Sequence, residues 1–193
     1  MTTLLGTPAS AVDSAAWLLG HGDAARAQTQ DWPTGRHVWP GMGIEYEAVR
    51  MPATLVHAAV RSTDPPSVAE RLTRFLEGPV AAAPAAGWYL ALTRPTGPKW
   101  YKRCDPDGLG TFVPPDEHLI LPHPSRTTPS SALFWSRPVQ PGQVSEALSV
   151  ALLLDMGDHA LSWQARYCDA RGEATYAPFG ALRILVGNQG TPS

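Results

Sequence analysis

The sequence predicts an α+β fold, and three observations predict it. Two stretches, 67–76 and 143–156, carry apolar residues at helical spacing. Between and after them lie short alternating or apolar runs at strand spacing, best seen in "WYLALT" (88–93). The connections are short and no internal repeat is visible, so helices and strands mix within one domain. A chain of 193 residues is long enough to bury a sizeable core.

Taken in order, residues 10–28 are rich in Ala and Leu, with Ser10 and Asp13 placed to open a helix. "DWPTGRHVWPG" (31–41) is a loop by its prolines and glycines. Residues 43–49, "GIEYEAV", read as a strand with Ile44, Tyr46 and Ala48 on its core side. Pro52 suits the first turn of a helix over "PATLVHAAVR". Ser67 and Glu70 have the spacing of a capping box opening a helix through Leu72, Phe75 and Leu76 to Gly78. After strand 88–93, "RPTGPKWYKR" reads as its turn and return. "GTFV", "HLILP" and "ALFWSR" read as further short strands between Pro-rich turns. A second helix spans 143–156, with Val144, Leu148, Ala151, Leu152 and Met156 on one face and Gly157 at its end. The remainder to 193, with "DARGEA" as a hairpin turn, reads as strands that complete or extend the sheet.

Composition narrows the function. A 44% hydrophobic and 17% charged chain is a folded protein. Net charge is −2, so nucleic acid can be bound only through a local basic patch, not by overall charge. Two cysteines, Cys104 and Cys168, exclude a disulfide scaffold or a thiolate zinc site. No basic, apolar leader opens the sequence and no apolar run approaches 18 residues, so a cytoplasmic protein with reduced thiols is expected. No phosphate-binding Gly loop, dinucleotide fingerprint or nucleophile elbow appears.

Three features bear on chemistry. In a strand, Glu45 and Glu47 project to the same side, which suits two carboxylates on a divalent ion and equally suits a solvated face. Arg94, Lys99, Lys102 and Arg103 surround Trp100 and Tyr101 with no acid among them, and both lysines of the chain fall here. Cations bind phosphates and aromatic faces stack on bases, while the plain alternative is a solvated turn with one Trp tucked inward. "PHPSR" offers His123, Ser125 and Arg126, either as a phosphate-holding turn or as a rigid Pro turn with a surface Arg.

Three segments, in this order, resemble the bifunctional DNA primase/polymerase N-terminal domain of the archaeo-eukaryotic primase superfamily, above all its short stand-alone actinobacterial members. They are "WPGMGIEYEAVRMP" (39–52), "GPVAAAPAAGWYLALTRPTG" (78–97) and "HLILPHPSRTTPSSALFWSRP" (118–138). The resemblance covers residues 10–140 and leaves 141–193 as an appended helix with strands. It implies a sheet that handles a nucleoside triphosphate, with Glu45 and Glu47 as ligands of magnesium or manganese. The family's acid pair is Asp-x-Asp, and each Glu carries its carboxylate one methylene further out. Where the family places a nucleotide-contacting His, this chain has Trp88 and Tyr89, and the family's third acid has no counterpart.

The expectation is therefore a catalytically degenerate primase/polymerase-like module that binds nucleotide, nucleic acid or a partner protein. Arg94, Lys99, Trp100, Lys102, Arg103, His123, Ser125 and Arg126 would form its binding surface. The alternatives are an active metal-dependent nucleotidyltransferase and a protein-interaction module with no nucleic-acid role.

Overall fold

The computed structural model describes residues 10–20, 32, 39, 41–129 and 132–171, with side chains through 167. Five antiparallel strands form one sheet: β1 (Glu47–Pro52), β2 (Val80–Ala83), β3 (Trp88–Thr93), β4 (Thr111–Val113) and β5 (Phe134–Arg137). Their order is β4-β1-β3-β2-β5. The helices are α1 (Ala11–Leu18), α2 (Ala53–Val60), α3 (Pro65–Leu72), α4 (Pro98–Cys104) and α5 (Ala147–Arg171). The architecture is α+β, as the sequence predicts.

Both faces of the sheet are buried, so β1, β2 and β3 are apolar almost throughout. On one face Val49, Met51, Val80, Ala82, Tyr89, Ala91 and Phe134 pack under α2, α3 and α5. On the other, Ala48, Ala81, Leu90, Leu92, Val113 and Trp135 meet Trp17, Leu18, Trp39, Tyr46, Leu119 and Leu121. The second layer has little helix, and aromatic polar tips hold it together. Trp39, Trp32 and Trp135 indole N–H groups donate to the carbonyls of Leu119 (3.1 Å), Leu121 (3.1 Å) and Pro122 (2.8 Å). The Tyr46 hydroxyl donates to Leu18 O at 2.9 Å. Residues 119–122 are therefore a segment tied down by side chains, outside the five strands, where the sequence suggested a strand.

Other local expectations need correction. Residues 41–46 form a tight turn, not the first half of a strand. Gly43 sits at φ +80°, and its N–H donates to Tyr46 O at 2.7 Å. Ile44 is consequently 77% exposed, while Tyr46 and Ala48 are buried as expected. Helix α3 begins at Pro65, earlier than the Ser67–Glu70 spacing suggested. Its cap is Asp64, whose carboxylate accepts the Ser67 N–H (3.0 Å) and hydroxyl (2.6 Å). The Ser10–Asp13 capping box does open α1. "RPTGPKWYKR" forms helix α4 instead of a return strand.

Helix α5 runs 25 residues, through what read as the end at Gly157 and through 160–170, which read as strand. A Cβ at Gly157 would stand 2.2 Å from Leu55 O, so this glycine is the close-approach point between α2 and α5. The buried face of α5 is Ala147, Val150, Ala151, Leu153 and Leu154, whereas Leu148, Leu152 and Met156 face outward. The expected structure of 21–31 and 172–193 lies outside the described residues. Among the described residues no helix is long and apolar enough to cross a membrane.

Candidate functional site

Helix α4 is the place where sequence-predicted site residues come together. Pro98 at its first position fixes φ for helix entry, and Gly97 precedes it at φ +83°. Over these seven residues Tyr101 turns inward at 5% exposure, against Phe112. Lys99, Trp100, Lys102 and Arg103 remain exposed, Trp100 at 48%. No acid lies on the helix, so its outer surface presents three cations around one indole.

Two carboxylates from the interior fix that helix at both ends. At the start, Glu47 of β1, only 6% exposed, accepts the Thr96 N–H at 2.8 Å and the Gly97 N–H at 2.8 and 3.0 Å. These amides precede a helix that has no side-chain cap of its own. At the end, Asp105, 5% exposed, accepts the Tyr101 hydroxyl (2.9 Å) and the N–H groups of Leu109 (2.9 Å) and Gly110 (2.8 Å). The acid beside the Tyr101 hydroxyl and, more strongly, its burial push that phenol far above its ordinary range. Buried carboxylates are costly unless hydrogen-bonded, and both are fully engaged by donors of this segment.

The acid pair of the sequence is thus divided between two settings. Glu45 lies half-exposed in the 41–46 turn, whereas Glu47 lies inside beneath α4. Among the described residues no group of three or more His, Cys, Asp or Glu side chains is arranged to hold a metal ion.

Arg94 stands at the end of β3, in the loop leading to α4, and its Nε donates to Glu146 Oε1 at 2.9 Å. It also lines a cavity of about 390 Å³ with Thr73, Glu77, Arg137, Gly142, Gln143 and Val144. Arg137, which sequence reasoning missed, donates to the carbonyls of Leu76 and Glu77, and burial lowers its pKa. Residue 47 pairs with 93 and residue 80 with 137, so the entry to α4, Arg94 and Arg137 occupy one end of the sheet.

His123, Ser125 and Arg126 lie elsewhere. His123 Nδ1 and the Ser125 hydroxyl are 2.7 Å apart and close a local turn, while Arg126 O accepts the Trp135 N–H at 2.7 Å. This turn flanks β5, with β3 and β2 separating it from β1. Three strand spacings make that about 14 Å.

The strand position where the resemblance expects a His divides as well. Tyr89 points into the core, its hydroxyl 3.0 Å from His57 Nε2, and burial raises the phenol to about 12 while lowering His57. Trp88 points to the opposite face and lines a second cavity, about 310 Å³, with Arg50, Leu90, Leu119 and Ile120. Arg50, also missed, pairs with Glu117 at 2.9 Å. Alternation along "EAVRMP" could have flagged it as the polar residue on the Ala48 face.

Compared with known proteins, the chain matches no family model, no curated protein and no solved structure.

Proposed function

We propose that this chain is a nucleic-acid- or nucleotide-binding module on a primase/polymerase-like frame, with the metal-dependent chemistry of that family lost. The observation that carries the reading is helix α4: Lys99, Lys102 and Arg103 exposed around Trp100, on a segment clamped by Glu47 and Asp105. A helix backbone already held in place loses less freedom when its cations meet a phosphate chain, and an exposed indole offers a face to any base. Loss of catalysis is favoured by the use of Glu47: the carboxylate that the resemblance assigns to a metal accepts three backbone contacts instead. Arg94 and Arg137 lie at the same end of the sheet and line the 390 Å³ cavity, Arg94 paired with Glu146 and Arg137 holding the Leu76 and Glu77 carbonyls.

Fluorescence anisotropy with a labelled single-stranded oligothymidylate tests the reading. The Lys99→Ala/Lys102→Ala/Arg103→Ala protein should bind at least tenfold more weakly. Trp100→Ala should cost about 1–3 kcal/mol per stacked base. Absence of binding by the parent protein, or equal affinity of the triple variant, would favour the protein-interaction reading. Template-directed primer extension by the parent protein in magnesium or manganese would restore the enzyme reading.

A further inference from the structure

Helix α5 has two apolar faces, and the described residues bury one of them in the core. Ala147, Val150, Leu153 and Leu154 enter the core. About 160° around the helix, at about 100° per residue, run Leu148, Leu152, Met156, Trp163 and Tyr167. These five are 52%, 54%, 43%, 62% and 45% exposed. Trp163 and Tyr167 stack on each other, centroids 5.1 Å apart and planes 15° from parallel, forming one flat aromatic surface. A contiguous apolar stripe on an exposed helix is an association surface by default.

Charge decides the occupant. With Met156 at zero, Leu152, Trp163 and Tyr167 lie within about 40° of it, while Asp155 and Arg166 both lie on one flank, at about −100° and −80°. When two identical helices pack antiparallel, like flanks meet, and residues equidistant from the two-fold axis face one another. An axis near residue 160 sets Met156 on the partner helix's aromatic surface, Leu152 near its other end, and Asp155 opposite the second copy's arginine at 166. The same contacts repeat on the other side of the axis. A parallel pairing would bring opposite flanks together and leave the acid and the arginine apart.

The geometry points to a second copy of this chain as the occupant: α5 pairs with α5 antiparallel, centred near residue 160, with two symmetric Asp155–Arg166 contacts. Two large aromatic side chains and two or three aliphatic ones per copy bury on the order of 1,000 Å² in total, the lower end for specific association. An interface of this size makes a weak dimer whose population depends on concentration. Thioether-on-aromatic contact between Met156 and Trp163 adds to it.

Sedimentation of the full chain across a dilution series reads the association. Trp163→Glu should leave a folded monomer, judged by circular dichroism. Asp155→Arg should weaken the dimer on the order of tenfold, and adding Arg166→Asp should restore it to within about threefold. In a Cys104→Ser/Cys168→Ser background, Ala160→Cys should oxidise to a disulfide-linked dimer while Leu152→Cys should not. A monomer at every concentration would overturn the proposal, whether the stripe stays bare or is covered by the chain's own 172–193. Cross-linking at both positions, which parallel pairing would give, would overturn it too, as would failure of the charge swap to rescue.

Discussion

Consider replacing Glu47 by Gln. The side chain keeps its length and one carbonyl-type oxygen, but an NH₂ group now stands where the second oxygen accepted a backbone N–H. In the parent protein the two oxygens take the Thr96 and Gly97 amides through contacts of 2.8, 2.8 and 3.0 Å at a site 6% exposed. Each charge-assisted bond of this kind contributes about 1.5–3 kcal/mol, and a donor facing a donor in a buried setting adds a desolvation cost. The substitution should therefore destabilise the fold by about 2–4 kcal/mol. At about 2–4 °C per kcal/mol for a chain of this size, Tm falls by roughly 5–15 °C in differential scanning calorimetry. Because these amides lead into α4, oligonucleotide affinity should fall as well, with every cation still present. A Tm within 1 °C of the parent would refute the clamp, and so would unchanged stability paired with loss of a bound divalent ion.

Further outcomes follow from other close contacts. Gly157→Ala ought to gain about 1 kcal/mol from helix propensity, yet its Cβ would meet Leu55 O at 2.2 Å; thermal melts should show a net loss of at least 2 kcal/mol. Tyr101→Phe removes one of three donors to Asp105 and should cost about 1–2 kcal/mol in urea unfolding, without changing the slope of the transition. Burial lowers His57 from its ordinary 6.5, so below that value the unfolded chain binds a proton that the fold resists. Stability should decline as pH falls from about 6.5, and His57→Gln should flatten that decline. Tyr89, raised to about 12, works at the other extreme: above pH 10 the unfolded chain releases a proton that the folded one keeps, so stability is lost as pH rises toward 12.

Much of the frame is legible in sequence because its signals are local. "WYLALT" forms β3 as read, Ser10 and Asp13 cap α1, and Pro52 stands at the entrance of α2. Helix α4 is hidden because its N-terminal support comes from Glu47, about fifty positions away, while Gly97–Pro98 reads locally as a turn. Pro98 at the first helical position was the available signal. The faces of α5 are ambiguous for another reason: from 147 to 156 the chain is apolar nearly all round, so periodicity cannot choose a side. Gly157 looks like a terminator but serves as a contact point, which depends on a helix a hundred residues earlier. Alternation places the Glu pair on one strand because it assumes extended backbone, whereas Gly43 at φ +80° turns the chain before the strand begins. The candidate cations are legible as a cluster; that two interior carboxylates hold the ends of the helix carrying them is not.

The salt dependence of oligothymidylate binding tests the central claim most directly. If Lys99, Lys102 and Arg103 each displace a counterion, replacing all three by Ala should lower the slope of log K against log salt by about 2, at about 0.7 per contact on a single strand. An unchanged slope, or binding that ignores salt in the parent protein, would contradict it.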